Sequence, residues 1–499
     1  MPAMIQPAMI QPVMVLGCTS DAGKSFLVTG LCRAFANRGL RVAPFKAQNM
    51  SNNAAVTGDG LEIGRAQYVQ ALAARVEPDV RMNPILLKPV ADTHSHVVLL
   101  GRPAPHLTAL PWSQRRSQTW PVVADALHSL IADHDIVVIE GAGSPAEVNL
   151  RGSDIVNLPI MHEAQARAYL AVDIDRGGSF AHLLGTWMCL DPDDRARLAG
   201  FVLNRFRGDA ALLGDGPAWL EERTGVPTVA VVPWIRHALP EEDRLIVRHA
   251  DEHDRVGDVR IAIVAYPYAS NLDEFDVLGW EPGVSVTLVR DRSRPEGVDT
   301  FEDFDAVILP GTRNTAASLD WMRSNGLDVA VTEAERRGVT ILGVCGGMQL
   351  LGRTITDPTG IEGPAHVDGI GLLDLATVLE PEKQTRRTAV TMVATGLVAP
   401  GYEIHHGVTT AAAGTEVLLD QQRGWRRGSV FGVYVHGLLD DCGFRAWFLG
   451  LLGWSGPCRD WRTAFDAELD RVAGHLESTG LVDHALGSNS LHNTTSSRS

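Results

Sequence analysis

The chain has 499 residues, of which 45% are hydrophobic and 21% are charged, and this composition predicts a globular protein of two or three domains. No apolar run reaches membrane-spanning length, and a formal net charge of −16 without a basic stripe argues against nucleic-acid binding. Six cysteines without CxxC or metal-ligand spacing favour a reducing cytoplasm. Residues 1–12 repeat AMIQP but lack the basic flank of a signal peptide, so we interpret them as a tail.

A phosphate-binding loop is predicted near the amino terminus. The predicted strand 13–16 runs into the turn GCTSDAGKS and then into a helix, a context in which backbone N–H groups hold phosphate oxygens. Gly23 closes the turn, Lys24 would neutralise ATP phosphates, and the Ser25 hydroxyl would bind Mg²⁺. Five residues, rather than the usual four, separate Gly17 from Gly23. This longer loop resembles that of dethiobiotin synthetase and its relatives, which use ATP to activate a carboxylate.

Two charged residues stand at the ends of further predicted strands in this half. Lys46 follows the strand 41–45, and Glu140 follows the apolar strand 135–139. In parallel sheets the carboxyl ends of the strands face the nucleotide crevice. We therefore predict Glu140 as a Mg²⁺ ligand and Lys46 as a contact to phosphate or to an acyl phosphate.

The alternation of short apolar strands with helical segments predicts a two-domain α/β protein. The first domain is expected to be a doubly wound parallel sheet with a phosphate loop, and the second an α/β glutaminase domain. A charged stretch separates them, and a helix and a polar tail close the chain. The predicted bounds are 13–237 for the first domain, 238–258 for the linker, 259–455 for the second domain, 456–485 for the helical segment and 486–499 for the tail.

The segment GVCGGMQLLG places Cys345 on a predicted nucleophile elbow. The run 340–344 is an apolar, β-branched strand, a helical pattern follows, and glycines in GxCxG spacing allow the sharp turn between them. The helix amino terminus favours the thiolate. His436 follows the predicted strand 430–435, where catalytic groups of α/β sheets gather, and is the candidate base.

These residues resemble the class I, or triad, glutamine amidotransferases. The resemblance implies that the cysteine attacks the glutamine side-chain amide, that the histidine moves the protons, and that ammonia is released. It also implies an oxyanion hole formed by the backbone N–H groups of Gly346 and Gly311. Many members carry a glutamate two residues after the histidine, where this chain has Leu438. We therefore predict a Cys-His dyad, with Asp440 as a weak substitute for the third member.

Along almost its whole length the chain resembles the cobyric acid synthase family. FKAQNM and IEGAGSPAE distinguish this family from most other phosphate-loop amidotransferases. Further matching segments, in order, are GLEIGRAQYVQA, MNPILLKP, DIVNLPI, DIDRGGSFAHLLGT, GFVLNRFRGD, LPEEDRL, LPGTRNT, GYEIHHG and YVHGLLD. The resemblance fades in the first twelve residues and after about residue 480.

The resemblance implies four ATP- and glutamine-dependent amidations, at the b, d, e and g carboxylates of adenosylcobyrinic acid a,c-diamide, giving adenosylcobyric acid in cobalamin biosynthesis. It further implies that Lys24, Ser25, Glu140 and Glu62 hold MgATP and that Asn204 contacts adenine. Because ATP and a polycarboxylate corrinoid are both anionic, cations are expected at the site. Possible substrate contacts are Lys88, Asp173, Asp175 and Arg176.

Two alternative functions remain. One is the sister enzyme that amidates the a and c carboxylates of cobyrinic acid with the same two domains, and FKAQNM close behind the phosphate loop favours the cobyric acid assignment. The other is a nonenzymatic phosphate-loop switch of the partitioning-ATPase type with a decayed glutaminase domain. Retention of Cys345, His436 and Gly311 together argues against decay.

Overall fold

The computed structural model describes residues 10–91, 94–240, 259–290 and 301–487. Most of the predicted linker, 238–258, and most of both predicted tails lie outside these residues. Within them, no helix is both long enough and apolar enough to cross a membrane.

The first half is built on a six-stranded sheet in which all strands are parallel. Alternate residues of the strand Val13–Gly17 enter two separate hydrophobic cores, with Met14 and Leu16 on one face and Val13 and Val15 on the other. Both faces of the sheet are therefore covered, which confirms the predicted doubly wound α/β fold. In spatial order the strands are Thr228–Pro233, Leu198–Phe206, Arg167–Asp173, Val13–Gly17, Ile136–Glu140 and Val42–Phe45.

Helices and small strands surround this sheet. The α-helices are Lys24–Asn37, Arg65–Ala73, Pro105–Thr108, Trp112–Asp133, Leu158–Glu163, Ser179–Cys189, Pro192–Arg195 and Gly216–Thr224, with 3-10 turns at Val80–Met82 and Ala210–Leu213. The small strands are Gln48–Met50, Ala54–Val56, Glu62–Gly64, Ile85–Ala91, His94–Leu99 and Arg102–Pro103.

The second half contains a seven-stranded sheet with five parallel strands followed by two antiparallel ones. In spatial order the strands are Val284–Val289, Val259–Val264, Ala306–Leu309, Thr340–Val344, Val430–Val433, Gly424–Arg427 and Glu416–Leu419. The α-helices are Thr315–Ser324, Leu327–Arg336, Gly346–Leu351 and Cys442–Leu451, and the 3-10 helices are Leu272–Trp280 and Leu438–Asp440. This arrangement is the predicted α/β second domain.

A long antiparallel ribbon of the second half contacts the first half. Its strands, Leu375–Thr391 and Val398–Ala411, pair along most of their length. Arg387 on this ribbon donates from Nε to the carbonyl of Val56 (3.0 Å) and forms an ion pair with Glu77 (2.7 Å). Small strands complete the second half, at Ala269–Ser270, Gly311–Thr312, Thr354–Thr356 and His366–Asp368.

The carboxyl-terminal helices Trp461–Glu477 and Leu481–Ala485 return to the first half. Leu476 is fully buried in the core that also contains residues of the helix Lys24–Asn37. A Cβ added at Gly30 of that helix would overlap the Leu476 side chain. The fully buried Arg33 forms ion pairs with two acids of the returning helix, Asp466 and Asp470. The last helices therefore complete the core of the phosphate-loop half.

Candidate active sites

Cys345 occupies a strained corner between the strand Thr340–Val344 and the helix Gly346–Leu351. Its backbone has φ 52° and ψ −109°, a conformation that costs energy for any residue other than glycine. A Cβ at Gly343 would lie 2.7 Å from the carbonyl oxygen of Gly347, and one at Gly347 would overlap the carbonyl of Leu309. Gly343 and Gly347 of the GxCxG motif are therefore required by close backbone approach, and they hold the cysteine at the end of a central strand.

His436 lies beside the cysteine and is held by a carboxylate. Its Nδ1 is 2.8 Å from Oε1 of Glu274, whose other oxygen accepts the backbone N–H of Gly437 at 2.9 Å. The Cys345 sulfur is close enough for its charge to act on the imidazole, and its thiol lies 3.8 Å from the carbonyl oxygen of Ile404. Burial alone would lower the pKa of His436, but the charges of Glu274 and Cys345 outweigh it and raise this pKa to about 10. The arrangement favours an imidazolium next to the cysteine sulfur.

Glu274 adds a third residue to the site, where the sequence predicted only a Cys-His dyad. It belongs to the 3-10 helix Leu272–Trp280 and is 162 residues from His436 in the chain. Leu438, at the position where many relatives have a glutamate, packs instead in the hydrophobic core. Asp440, the predicted weak substitute, has a buried carboxyl whose pKa is raised to about 6, chiefly by burial. The carboxylate that orients the imidazole is thus supplied from another segment of the chain.

The two predicted oxyanion-hole glycines lie at this corner. Gly346 begins the helix behind the cysteine, and Gly311 belongs to the short strand that pairs with Ala269–Ser270. A Cβ at Gly311 would lie 3.0 Å from Cε1 of His436, and one at Gly346 would lie 2.8 Å from the backbone nitrogen of Thr312. Their N–H roles stay predictions, but a side chain at Gly346 would clash with Thr312, and one at Gly311 would crowd His436 and Ser270.

The cavity in front of Cys345 is walled by both halves of the protein. The first half contributes Asn52 and Lys88, and the second contributes Arg313 and Glu362. Burial lowers the pKa of Arg313 to about 10, and burial raises the pKa of Glu362, which accepts hydrogen bonds from Thr315. The cavity therefore presents a guanidinium and a carboxyl to a ligand that reaches the cysteine.

Glu62 and Lys88 lie at this wall and not at the phosphate loop. The buried carboxylate of Glu62 forms ion pairs with Lys88 and with Lys383 of the ribbon, the latter at 2.8 Å. Burial holds the pKa of both lysines well below the usual value, and repulsion by Arg313 acts on each in the same direction. The prediction that Glu62 binds MgATP is therefore corrected, because two lysines of the domain interface occupy its oxygens. Lys88, predicted as a possible substrate contact, faces the cysteine cavity.

The phosphate loop brings together four of the residues predicted for ATP. Lys24 donates to the carbonyls of Thr19 (3.0 Å) and Ser20 (3.2 Å) across the turn. The Ser25 hydroxyl donates to Oε1 of Glu140 at 2.8 Å, and Lys46 reaches the same oxygen at 3.0 Å. Burial would raise the pKa of Glu140, but Lys46 and hydrogen bonds to the carboxylate lower it. The carboxylate is thus ionised beside the Ser25 hydroxyl and the Lys46 ammonium.

Asn204 contacts the loop itself. It is buried, its Nδ2 donates to the carbonyl of Ala22 at 2.9 Å, and a Cβ at Gly23 would overlap its side chain. Gly23 also has φ 82°, which favours glycine. Asn204 therefore braces the turn, and its predicted contact with adenine stays a prediction.

The acidic turn after the strand Arg167–Asp173 borders the phosphate loop. Asp173 is buried and pairs with Arg205 at 3.0 Å, while the half-exposed Arg176 pairs with Asp21 of the loop at 2.6 Å. Asp175 pairs with Arg207 at 3.2 Å. Asp173 and Arg176, predicted as possible substrate contacts, thus pair with Arg205 and Asp21, which line the cavity at the phosphate loop.

Sequence reasoning missed Gln70 and Glu274. Gln70 donates from Nε2 to Oε2 of Glu140 at 2.5 Å and lies on the helix Arg65–Ala73. Neither residue belongs to a motif whose spacing implies its role, since each meets its partner only through tertiary folding. The family segment GLEIGRAQYVQA contains Gln70, and this was the one available signal.

Comparison with known proteins agrees with this two-site arrangement. Residues 13–246 match the family described as CobQ/CobB/MinD/ParA nucleotide binding domain, and residues 260–444 match the CobB/CobQ-like glutamine amidotransferase domain. The cobyric acid synthase of Deinococcus radiodurans is 54% identical over 93% of this chain and 98% of its own length. That of Variovorax paradoxus is 49% identical over 93% and 97%, respectively. The chain belongs to the cobyric acid synthase family.

Proposed function

We propose that the protein catalyses the ATP- and glutamine-dependent amidation of the b, d, e and g carboxylates of adenosylcobyrinic acid a,c-diamide, giving adenosylcobyric acid. The observation that carries this proposal is the presence, in one chain of this family, of two separate sites. One holds Cys345, His436 and Glu274, and the other holds Lys24 and Glu140. The first suits release of ammonia and the second suits activation of a carboxylate.

At the first site, the Cys345 sulfur attacks the side-chain carbonyl carbon of glutamine. The backbone N–H groups of Gly346 and Gly311 would stabilise the oxyanion. His436 donates a proton to the leaving nitrogen, so that ammonia departs and a thioester remains. The histidine then removes a proton from water, which attacks the thioester carbonyl and releases glutamate. Arg313 and Glu362 at the cavity wall match the opposite charges of a zwitterionic amino acid.

At the second site, a carboxylate of the corrinoid takes up the γ-phosphoryl group of ATP, and ADP leaves. Ammonia then attacks the acyl carbon, phosphate departs, and an amide is formed. Lys24 and Lys46 supply positive charge beside the loop. The hard oxygens of Ser25 and Glu140 fit Mg²⁺, which would neutralise phosphate charge when it is bound with ATP.

Incubation with ATP, glutamine and cobyrinic acid a,c-diamide tests the proposal, with amide additions counted by mass spectrometry. Four additions are expected, whereas none would refute the substrate assignment and would agree with a nonenzymatic switch. If cobyrinic acid instead gains two amides, the sister enzyme is favoured. Cys345→Ser should abolish the glutamine-dependent reaction and leave the ammonia-dependent reaction intact, because only the first site uses the thiol.

A further inference from the structure

The helix Arg65–Ala73 of the phosphate-loop half contacts both candidate sites. Gln70 bonds Glu140, as described above, and Arg65 at the start of the same helix points into the second half. Arg65 Nε lies 2.6 Å from Oδ2 of Asp273, and the arginine side chain is 11% exposed. One nine-residue helix therefore joins the nucleotide site to the edge of the glutaminase site.

Asp273 is the direct neighbour of Glu274, which holds His436. Asp440 belongs to the same group, because the charges of Glu274 and Asp273 act with burial to raise its pKa, while Arg65 and Arg445 act against that rise. Arg445 is engaged by Glu281 at 2.8 Å.

The buried carboxyls of Asp273, Glu274 and Asp440 thus lie near His436, and Arg65 is paired with that of Asp273. Uncompensated buried charges are costly, and a carboxyl in such a group protonates unless a cation is near. Arg65 therefore offsets the charge of the carboxyls of Asp273 and Asp440, which lie beside the glutamate that holds His436.

Backbone contacts fix the two halves at this point. The side chain of Asn271 accepts from the backbone N–H of Ala54 (2.9 Å), and the backbone N–H of Asn271 donates to Oδ1 of Asn53 (2.9 Å). Asn271 precedes the 3-10 helix that carries Glu274. Tyr402, whose ring stacks on that of His436 with centroids 5.3 Å apart, also reaches the carbonyl of Ala54 (3.4 Å). The interface is therefore ordered around the base.

We propose that Arg65, a residue of the ATP-binding domain, is a positioning residue for glutamine hydrolysis that keeps Glu274 aligned with His436 through its ion pair with Asp273. The inference rests on the proposed glutaminase function. The glutaminase site is then complete only while the ATP-binding domain is docked against it. Arg65 acts through Asp273 and Glu274 and does not line the cavity that receives glutamine among the described residues.

Glutamate release from glutamine alone, measured across pH, tests this role. Arg65 lowers the pKa of the Asp273 and Asp440 carboxyls, so its loss raises both, and Arg65→Met should move the acidic limb of kcat upward by about 1–3 pH units. Activity should recover at higher pH, the KM for glutamine should stay within about twofold, and ammonia-dependent amidation should persist. Arg65→Lys should keep the wild-type limb because it keeps the charge.

Arg387→Met is the matched control, since Arg387 also crosses the interface but binds Glu77 and the Val56 carbonyl. Its pH profile should equal that of the wild type. If Arg65→Met proves unstable, the double variant with Asp273→Asn restores the charge balance and should return the acidic limb toward the wild-type position. An unchanged limb in a folded Arg65→Met variant, or equal shifts in both arginine variants, would overturn the inference. Absence of glutamate release from the wild type would instead refute the proposed function.

Discussion

Replacement of Glu274 by glutamine tests whether Cys345 and His436 act as the predicted dyad or act together with Glu274 as a triad. The change keeps the shape of the side chain but removes the charge that faces Nδ1 of His436 at 2.8 Å. A hydrogen bond between charged groups contributes about 1.5–3 kcal/mol, and a tenfold change in rate corresponds to about 1.4 kcal/mol. We therefore expect kcat for glutamine hydrolysis to fall about 10- to 150-fold, with little change in KM.

The pH profile gives a second, independent measure of the Glu274→Gln change. In the wild type the pKa of His436 is about 10, because Glu274 and Cys345 oppose the effect of burial. Without the carboxylate, the effect of burial is opposed less and the pKa of His436 falls, so the imidazolium loses its proton at lower pH. The alkaline limb of glutaminase activity should therefore move from near pH 10 toward neutrality, as measured by glutamate release.

Asp440→Asn is the control, because Asp440 was the acid that the sequence suggested. Its carboxyl is buried near the same group but does not hold Nδ1, so the variant should keep the alkaline limb. The reasoning is refuted if Glu274→Gln retains wild-type kcat and profile while Asp440→Asn loses both.

Further predictions concern the phosphate loop and the returning helix. Asn204→Ala should raise the KM for ATP and for GTP to a similar extent, because the side chain braces the loop at Ala22; a selective loss of ATP use would show base recognition instead. Leu476→Ala should lower the free energy of unfolding by about 2–5 kcal/mol, measured by denaturant titration, because it leaves a cavity beside the helix that contains Gly30. A stability loss below about 1 kcal/mol would contradict this packing.

Features contained in one continuous segment were the ones that the sequence predicted well. The fold class follows from alternating strands and helices, and the glycine corner of Cys345 and the turn before Lys24 follow from residues adjacent in the chain. Backbone geometry over a few residues determines such features, and glycine and strand patterns report it directly. The strand that precedes His436 was recognised for the same reason.

Features that depend on two distant segments were missed or misplaced. Glu274 meets His436 across 162 residues, and the sequence has no spacing rule for such a meeting. Glu62 was assigned to ATP from the family resemblance, and Lys88 was assigned to the substrate from its charge. Folding buries both, however, and a buried charge requires an opposite charge nearby. The Glu62 carboxylate therefore pairs with both Lys88 and Lys383 at the domain interface.

The path of the chain explains how so polar an interface can persist. The backbone N–H of Ala238, where the chain leaves the first half, donates to Glu468 of the returning helix at 2.8 Å, and Arg471 donates to the carbonyl of Arg236 at 2.6 Å. The chain thus leaves the first half beside the helix with which it later returns to that half. Because the glutaminase half is covalently connected at both of its ends, the facing surfaces of the two halves stay at a high effective concentration. Contacts as small as the pair between Arg65 and Asp273 can then stay formed without a large apolar interface.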